Sequence, residues 1–110
     1  MDSTSLKQIT VEEVVHSIQN GDQVILLDVR TPGEFERGYI KNSVNIPLDD
    51  LQHKVESVIP YKITPIYVYC LSGARSDVAV TILSQLGYTN VYSVKSGLLA
   101  WRAKKYELVI

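Results

Sequence analysis

The sequence predicts an α/β fold in which a parallel sheet is covered by helices on both faces. Short β-branched or aromatic runs alternate with segments of helical periodicity about five times along the chain. Two of the runs, residues 24–27 and 66–69, are continuously apolar, as strands buried on both faces of a parallel sheet require. The chain has 110 residues, of which 45% are hydrophobic and 21% charged. That suits one domain over 1–110, with a core of about 10–106.

Residues 6–9 read as a short edge strand. Thr10 then reads as an N-cap, and Glu13 three residues on completes a capping box. Val11, Val14, Val15 and Ile18 fall at helical spacing, and Asn20-Gly21 marks the stop. His16 reads as a solvent-facing or packed residue of this helix. The apolar strand at 24–27 runs into Asp28-Val29-Arg30. Asp28 and Arg30 read as an ion pair tying the strand end to neighbouring loops, because charges partly buried at a strand end are paired. Thr31-Pro32-Gly33-Glu34 repeats the capping-box pattern, with Pro32 at the first helical position, and opens a short helix over 32–37 that ends at Gly38.

Val44 and Asn45 read as a very short strand, stopped by Pro47. Leu48, Leu51, Val55 and Val58 mark one face of a helix over about 48–58. Asp49 and Asp50 lie in its exposed first turn, where the helix dipole favours them, so they are not read as a metal or acid–base pair. His53 reads as a surface residue. Residues 60–65 connect to the strand at 66–69, which ends at Cys70. After the Cys70 loop comes a helix from near Arg75 or Ser76. Ala79, Ile82, Leu83 and Leu86 form its stripe and Gly87 its stop. Residues 91–94 are the last strand, and Lys95-Ser96-Gly97 is a turn. A final helix runs over about 98–104, packed through Leu98, Trp101 and the stem of Arg102, with Lys104 and Lys105 at its C-terminal end.

Cys70 is the chain's only cysteine. Catalytic sites of open parallel sheets lie beyond the C-terminal strand ends, where Cys70 falls. A nucleophilic cysteine acts as its thiolate, which needs stabilisation. The N–H groups of residues 71–75 can turn inward as a nest for an anion, and the helix that follows adds its dipole. Arg75 adds a full charge, and Gly73 permits a tight turn. The expected catalytic residue is therefore Cys70, within a loop of Leu71, Ser72, Gly73, Ala74, Arg75 and Ser76.

Composition narrows the alternatives. With 11 basic and 12 acidic residues the net charge is −1, and no long like-charge run occurs, which argues against nucleic acid as a partner. No apolar run approaches the roughly 20 residues that span a bilayer, so no membrane partner is expected. Met1-Asp2-Ser3-Thr4-Ser5 has neither a basic nor an apolar signal region. One cysteine cannot form an internal disulfide, which fits a reducing, cytoplasmic setting. His16, His53 and Cys70 do not match metal-ligand spacing, and neither metal nor cofactor is expected.

Four segments carry a family resemblance. Cys70-Leu71-Ser72-Gly73-Ala74-Arg75-Ser76 resembles the active-site loop of the single-domain rhodanese, or thiosulfate sulfurtransferase-like, family. The stretch from Leu27 to Phe35 resembles its upstream signature, followed by Gly38-Tyr39-Ile40 and Asn45-Ile46-Pro47. Gly97-Leu98-Leu99-Ala100-Trp101 resembles its C-terminal motif. The resemblance implies a three-layer α/β/α domain with a central, mainly parallel five-stranded sheet. It implies a thiosulfate:cyanide sulfurtransferase type of enzyme working through a Cys70 persulfide. Sulfane sulfur would come from thiosulfate or another persulfide and pass to a thiol, cyanide or protein acceptor. Arg75 would hold the anionic donor by paired hydrogen bonds.

The chain departs from the family pattern at Tyr39, in place of histidine, and at Lys41-Asn42-Ser43, in place of a Gly-Ala-type turn. Leu71 stands where thiosulfate-using members carry a basic or polar residue, which leaves Arg75 as the loop's one cation and disfavours thiosulfate. Ser96 replaces the first of a frequent glycine pair. Lys95 could add charge at the pocket rim, although a turn lysine is ordinarily solvated. One alternative is a phosphatase or arsenate reductase, whose related loop is Cys-x5-Arg. Here four residues separate Cys70 from Arg75, which sizes the loop for a smaller anion. The other is a non-enzymatic sulfur-relay or redox-binding module, against which stand the intact cysteine and arginine and the lack of a second cysteine.

Overall fold

A computed structural model describes residues 7–110. Five strands and five helices alternate: β1 (Gln8–Ile9), α1 (Val11–Gln19), β2 (Ile25–Asp28), α2 (Pro32–Glu36), β3 (Val44–Asn45), α3 (Leu48–Val58), β4 (Ile66–Tyr69), α4 (Ala74–Gln85), β5 (Val91–Val94) and α5 (Gly97–Ala103). The strands form one sheet in the order β1-β5-β4-β2-β3, every pair parallel. This is the expected α/β architecture. Leu6, and with it the start of the predicted edge strand and the 1–5 stretch, lies outside the described residues.

Alternation along the central strands sorts the core into two layers. Leu27, Ile66, Val68, Cys70 and Val91 face α3 and α4, where they meet Leu51, Val55, Ala79, Val80 and Leu83. Leu26, Tyr69 and Val94 face α1 and α5, where they meet Val11, Val14, Leu98 and Trp101. Both capping boxes form. Thr10 and Glu13 exchange hydrogen bonds at the start of α1, and Thr31 and Glu34 do so at the start of α2. Helix α4 ends in a Schellman turn: the Tyr88 N–H donates to the Leu83 carbonyl and the Gly87 N–H to that of Ser84, with Gly87 at φ +98°.

Several expectations are corrected. Strand β2 begins at Ile25 rather than Val24 and takes in Asp28, which pairs in register with Tyr69 and Asn45. Helix α2 stops at Glu36, with Arg37 as its cap. Helix α4 begins at Ala74, because Gly73 at φ +108° already serves as its N-cap. Ile18 of α1 is exposed, and Ser17 is buried instead, its hydroxyl 2.9 Å from that of Tyr67. Val58 is also exposed, and the next residue, Ile59, takes its place in the core. Val80 is buried where Ile82 and Leu86 are only half-buried. The Arg102 stem does not cover α5. Trp101 packs on Tyr106 instead, edge to face at 5.0 Å, and donates its indole N–H to the Glu107 carbonyl.

Candidate active site

Cys70 follows β4 directly and keeps its alternation, so its side chain points toward α4 and is 1% exposed. The loop from Leu71 to Gly73 turns back so that the Gly73 N–H donates to the sulfur at 3.1 Å and the Ser76 N–H at 3.4 Å. Both donors favour a charged sulfur. Among the N–H groups expected from residues 71–75, Gly73's reaches the sulfur. The second donor, Ser76, belongs to the first turn of α4.

Helix α5 holds the outside of this loop. The Leu98 N–H donates to the Cys70 carbonyl and the Leu99 N–H to the Leu71 carbonyl, each at 3.0 Å. The loop's carbonyls are thus engaged away from the sulfur. Gly97, at φ +46°, lies against those same two carbonyls.

Arg75 is not open toward the cysteine. Its guanidinium makes two hydrogen bonds to the Glu34 carboxylate, at 2.7 and 3.0 Å, bridging α4 to α2. The same carboxylate completes the Thr31 capping box. Arg75, with help from Thr31, holds the Glu34 carboxyl well below the usual carboxylate range, at about 2, against an opposing effect of burial. The Glu34 contact in turn raises Arg75. Because Glu34's folded value lies below its unfolded one, this link acts at neutral pH and is lost as the pH falls toward 2.

Asp28 and Arg30 form a buried ion pair, 0% and 3% exposed. Arg30 Nη2 lies 2.6 Å from Asp28 Oδ2 and also donates to the Gly38 carbonyl at 2.7 Å. The backbone N–H of Arg30 donates to Asp28 Oδ1 at 2.8 Å. Asn45 closes the motif, its amide donating to the carbonyls of Asp28 and Arg30 at 3.0 Å each. This cluster braces the segment that carries Thr31 and Glu34. Lys95 is exposed in the β5–α5 turn, its N–H donating to the Ile9 carbonyl at 2.8 Å. His16 and His53 are exposed on α1 and α3. No cluster of metal-ligating side chains occurs among the described residues.

Two residues not singled out in the sequence, Ser93 and Asp77, stand behind the sulfur and reach it through Ser76. The Ser76 hydroxyl lies 3.7 Å from Cys70 Sγ and 2.8 Å from the hydroxyl of Ser93, which donates to Asp77 Oδ1 at 2.7 Å. Ser93 is fully buried in β5. A small polar residue facing the core of an otherwise apolar strand was the one available signal. A separate cavity of about 540 Å³, lined by Val15, Leu26, Ile40, Trp101 and Tyr106 among others, contains no residue of the cysteine loop.

A profile of the rhodanese-like domain family matches residues 10–104. A protein of Allochromatium vinosum named sulfurtransferase is 33% identical over 96 residues, spanning 87% of this chain and 88% of its own. The thiosulfate sulfurtransferase PspE of Escherichia coli is 35% identical over 65 residues, 59% of this chain and 62% of its own. The crystal structure of a rhodanese-related protein from Thermoplasma volcanium superimposes with a TM-score of 0.82 at 34% identity, over 94% of this chain and 97% of that one.

Proposed function

The chain belongs to the rhodanese-like domain family, and on that premise we propose that it is a sulfurtransferase that carries sulfane sulfur on Cys70. The reading is supported by relatives named sulfurtransferase and by a buried sulfur facing two backbone N–H donors at the end of a parallel strand. The reaction has two steps. The Cys70 thiolate attacks the outer sulfur of a donor. A new S–S bond forms, the donor's own S–S bond breaks, and its electron pair leaves as a thiolate, or as sulfite when the donor is thiosulfate. An acceptor thiolate or cyanide then attacks the outer sulfur of the Cys70 persulfide and releases the Cys70 thiolate.

The observation that bears on the donor is the Arg75–Glu34 pair. A guanidinium already engaged bidentately by a carboxylate is poorly placed to bind an oxyanion. Leu71 adds no charge. We infer that the preferred donor is a persulfide, free or on a protein, with thiosulfate a poor second. The engaged arginine and the four-residue spacing also argue against phosphatase chemistry.

Intact-mass analysis tests the reading. After incubation with a low-molecular-weight persulfide the wild type is expected to gain one sulfur atom, lost again on treatment with cyanide or a thiol. Cys70→Ser is expected to gain none. No adduct from a persulfide or from thiosulfate would overturn the proposal.

The donor preference makes its own prediction. Glu34→Gln keeps a residue able to complete the capping box but removes the charge that engages Arg75. The rate of sulfur loading from thiosulfate is expected to rise about tenfold, the scale of one charge-assisted hydrogen bond. Loading from a persulfide should change little. A thiosulfate rate equal to that of the wild type would mean that Glu34 does not set the preference.

A further inference from the structure

We propose that Asp77, acting through the hydroxyls of Ser93 and Ser76, sets the direction of the hydrogen bond at Cys70 and thereby holds back the reactivity of its sulfur. The inference rests on Cys70 being the sulfur-carrying nucleophile, and it assigns Ser76, Ser93 and Asp77 as positioning residues.

The number of available protons fixes the direction of each link. Three links join four groups: Cys70 Sγ to Ser76 Oγ at 3.7 Å, Ser76 Oγ to Ser93 Oγ at 2.8 Å, and Ser93 Oγ to Asp77 Oδ1 at 2.7 Å. The Asp77 carboxylate can only accept, so Ser93 directs its single proton there. Ser93 can then only accept from Ser76. The single Ser76 proton goes to Ser93 or to the Gly73 carbonyl, 3.1 Å away, and in either case points away from the sulfur. Ser76 therefore offers the sulfur an oxygen lone pair, and only the Cys70 S–H can fill that link.

Ser76 thus speaks to the sulfur in two senses. Its backbone N–H favours the thiolate, and its hydroxyl favours the thiol. The chain can reverse. If a proton sits on Asp77, Ser93 donates to Ser76 and Ser76 donates to the sulfur, which gives the thiolate a third donor. With a proton on the carboxyl and none on the sulfur, three protons again fill the three links. With both ends ionised, only two protons remain for three links, and one contact pairs two oxygen or sulfur acceptors face to face.

Burial makes this count strict. Ser76 and Ser93 are 0% exposed, so the links from Cys70 to Ser93 have no ready substitute from solvent, while Asp77 at the far end is half-buried. The other charged groups around the cysteine are Arg75 of α4, Glu34 of α2, the Asp28–Arg30 pair at the end of β2, and Lys95 in the turn before α5. Arg75 and Glu34 neutralise each other, as do Asp28 and Arg30. Strand β5 contributes Ser93, which does not titrate.

The test is the rate of Cys70 alkylation by iodoacetamide, followed by intact mass across a range of pH. The proteins are wild type, Asp77→Asn, Ser93→Ala, the double variant and Ser93→Thr. An asparagine can donate to Ser93, so Asp77→Asn lets the chain point toward the sulfur. The alkylation profile is expected to move toward acid, with a rate about tenfold higher on its acid side, the scale of one hydrogen bond to a charged group. In the Ser93→Ala background the Asp77→Asn substitution is expected to lose most of that effect. Ser93→Thr keeps the hydroxyl and should behave as wild type. An undiminished Asp77→Asn effect in the Ser93→Ala background would assign the influence to charge acting through space, and no effect in either background would remove it; both overturn the relay. Alkylation requires no sulfur donor. Failure of the relay therefore leaves the persulfide adduct intact, whereas failure of the sulfur-transfer reading removes the adduct and leaves the alkylation coupling.

Discussion

Gly97→Ala is expected to unfold at a clearly lower temperature and to load sulfur onto Cys70 about 100-fold more slowly. Two effects add. The backbone at φ +46° is left-handed, which costs a residue with a Cβ about 1–2 kcal/mol. The new Cβ would also overlap the Cys70 carbonyl oxygen and approach the Leu71 oxygen to 2.9 Å. Real Cβ atoms do not come that close to backbone, so either α5 or the cysteine loop must move. Those two carbonyls receive the Leu98 and Leu99 N–H bonds that hold the loop with its donors turned inward. A shift that relieves the overlap therefore displaces Gly73 and Ser76 from the sulfur. Near-ångström displacement of a reacting group is enough for the stated loss in rate. Gly33→Ala is the control. Its Cβ would meet nothing within 4 Å, and its stability is expected to stay within about 0.5 kcal/mol of wild type. Thermal unfolding and the sulfur-loading rate check both variants, and a Gly97→Ala protein matching wild type in both would refute the argument.

The same contact explains what the sequence could and could not reveal. Local signals were read directly. The two capping boxes, Gly87 as a helix stop and the bounds of α3 and β4 all follow from interactions within a few residues along the chain. Asp28 and Arg30 were also within reach, being two residues apart at a strand end. The helix faces were less legible. Ile18 and Val58 satisfy the apolar period but sit at the margins of their stripes, where the supporting layer no longer covers them. Long-range polar contacts left almost no trace. Glu34 and Arg75 are 41 residues apart, and nothing local separates an arginine open to substrate from one engaged by a carboxylate. Ser76, Asp77 and Ser93 are joined only because β5 lies against α4. The place of Cys70 at the end of β4 and the turn that follows it were therefore legible, while the polar contacts around them depend on tertiary structure.

Asp28→Asn is expected to cost about 3–5 kcal/mol. The substitution keeps the shape of the side chain and removes its charge. Burial is the largest single influence on Arg30 and opposes its charge, and the Asp28 hydrogen bonds together with the charge attraction of Asp28 and its neighbours outweigh it, so the guanidinium stays protonated. Without the carboxylate it remains buried, with one neutral amide oxygen and the Gly38 and Glu34 carbonyls as acceptors but no opposite charge. The loss is a large share of the roughly 5–15 kcal/mol that keeps a domain folded. Urea unfolding measures it, and a cost below about 1 kcal/mol would mean that Arg30 reaches water or another anion when Asp28 is neutral. The double variant Asp28→Leu/Arg30→Met separates the pair's net worth from the penalty of an orphaned charge. It is expected to be more stable than Asp28→Asn, because two apolar side chains leave no buried ion without a partner. It is nonetheless expected to load sulfur from thiosulfate faster than wild type and from a persulfide at about the wild-type rate, as Glu34→Gln does. The Arg30 contacts to the Glu34 and Gly38 carbonyls hold α2 where Glu34 can reach Arg75. A double variant that recovers stability but loads faster from thiosulfate would place the value of this ion pair in positioning α2, and Glu34 with it, against Arg75 rather than in holding the sheet together.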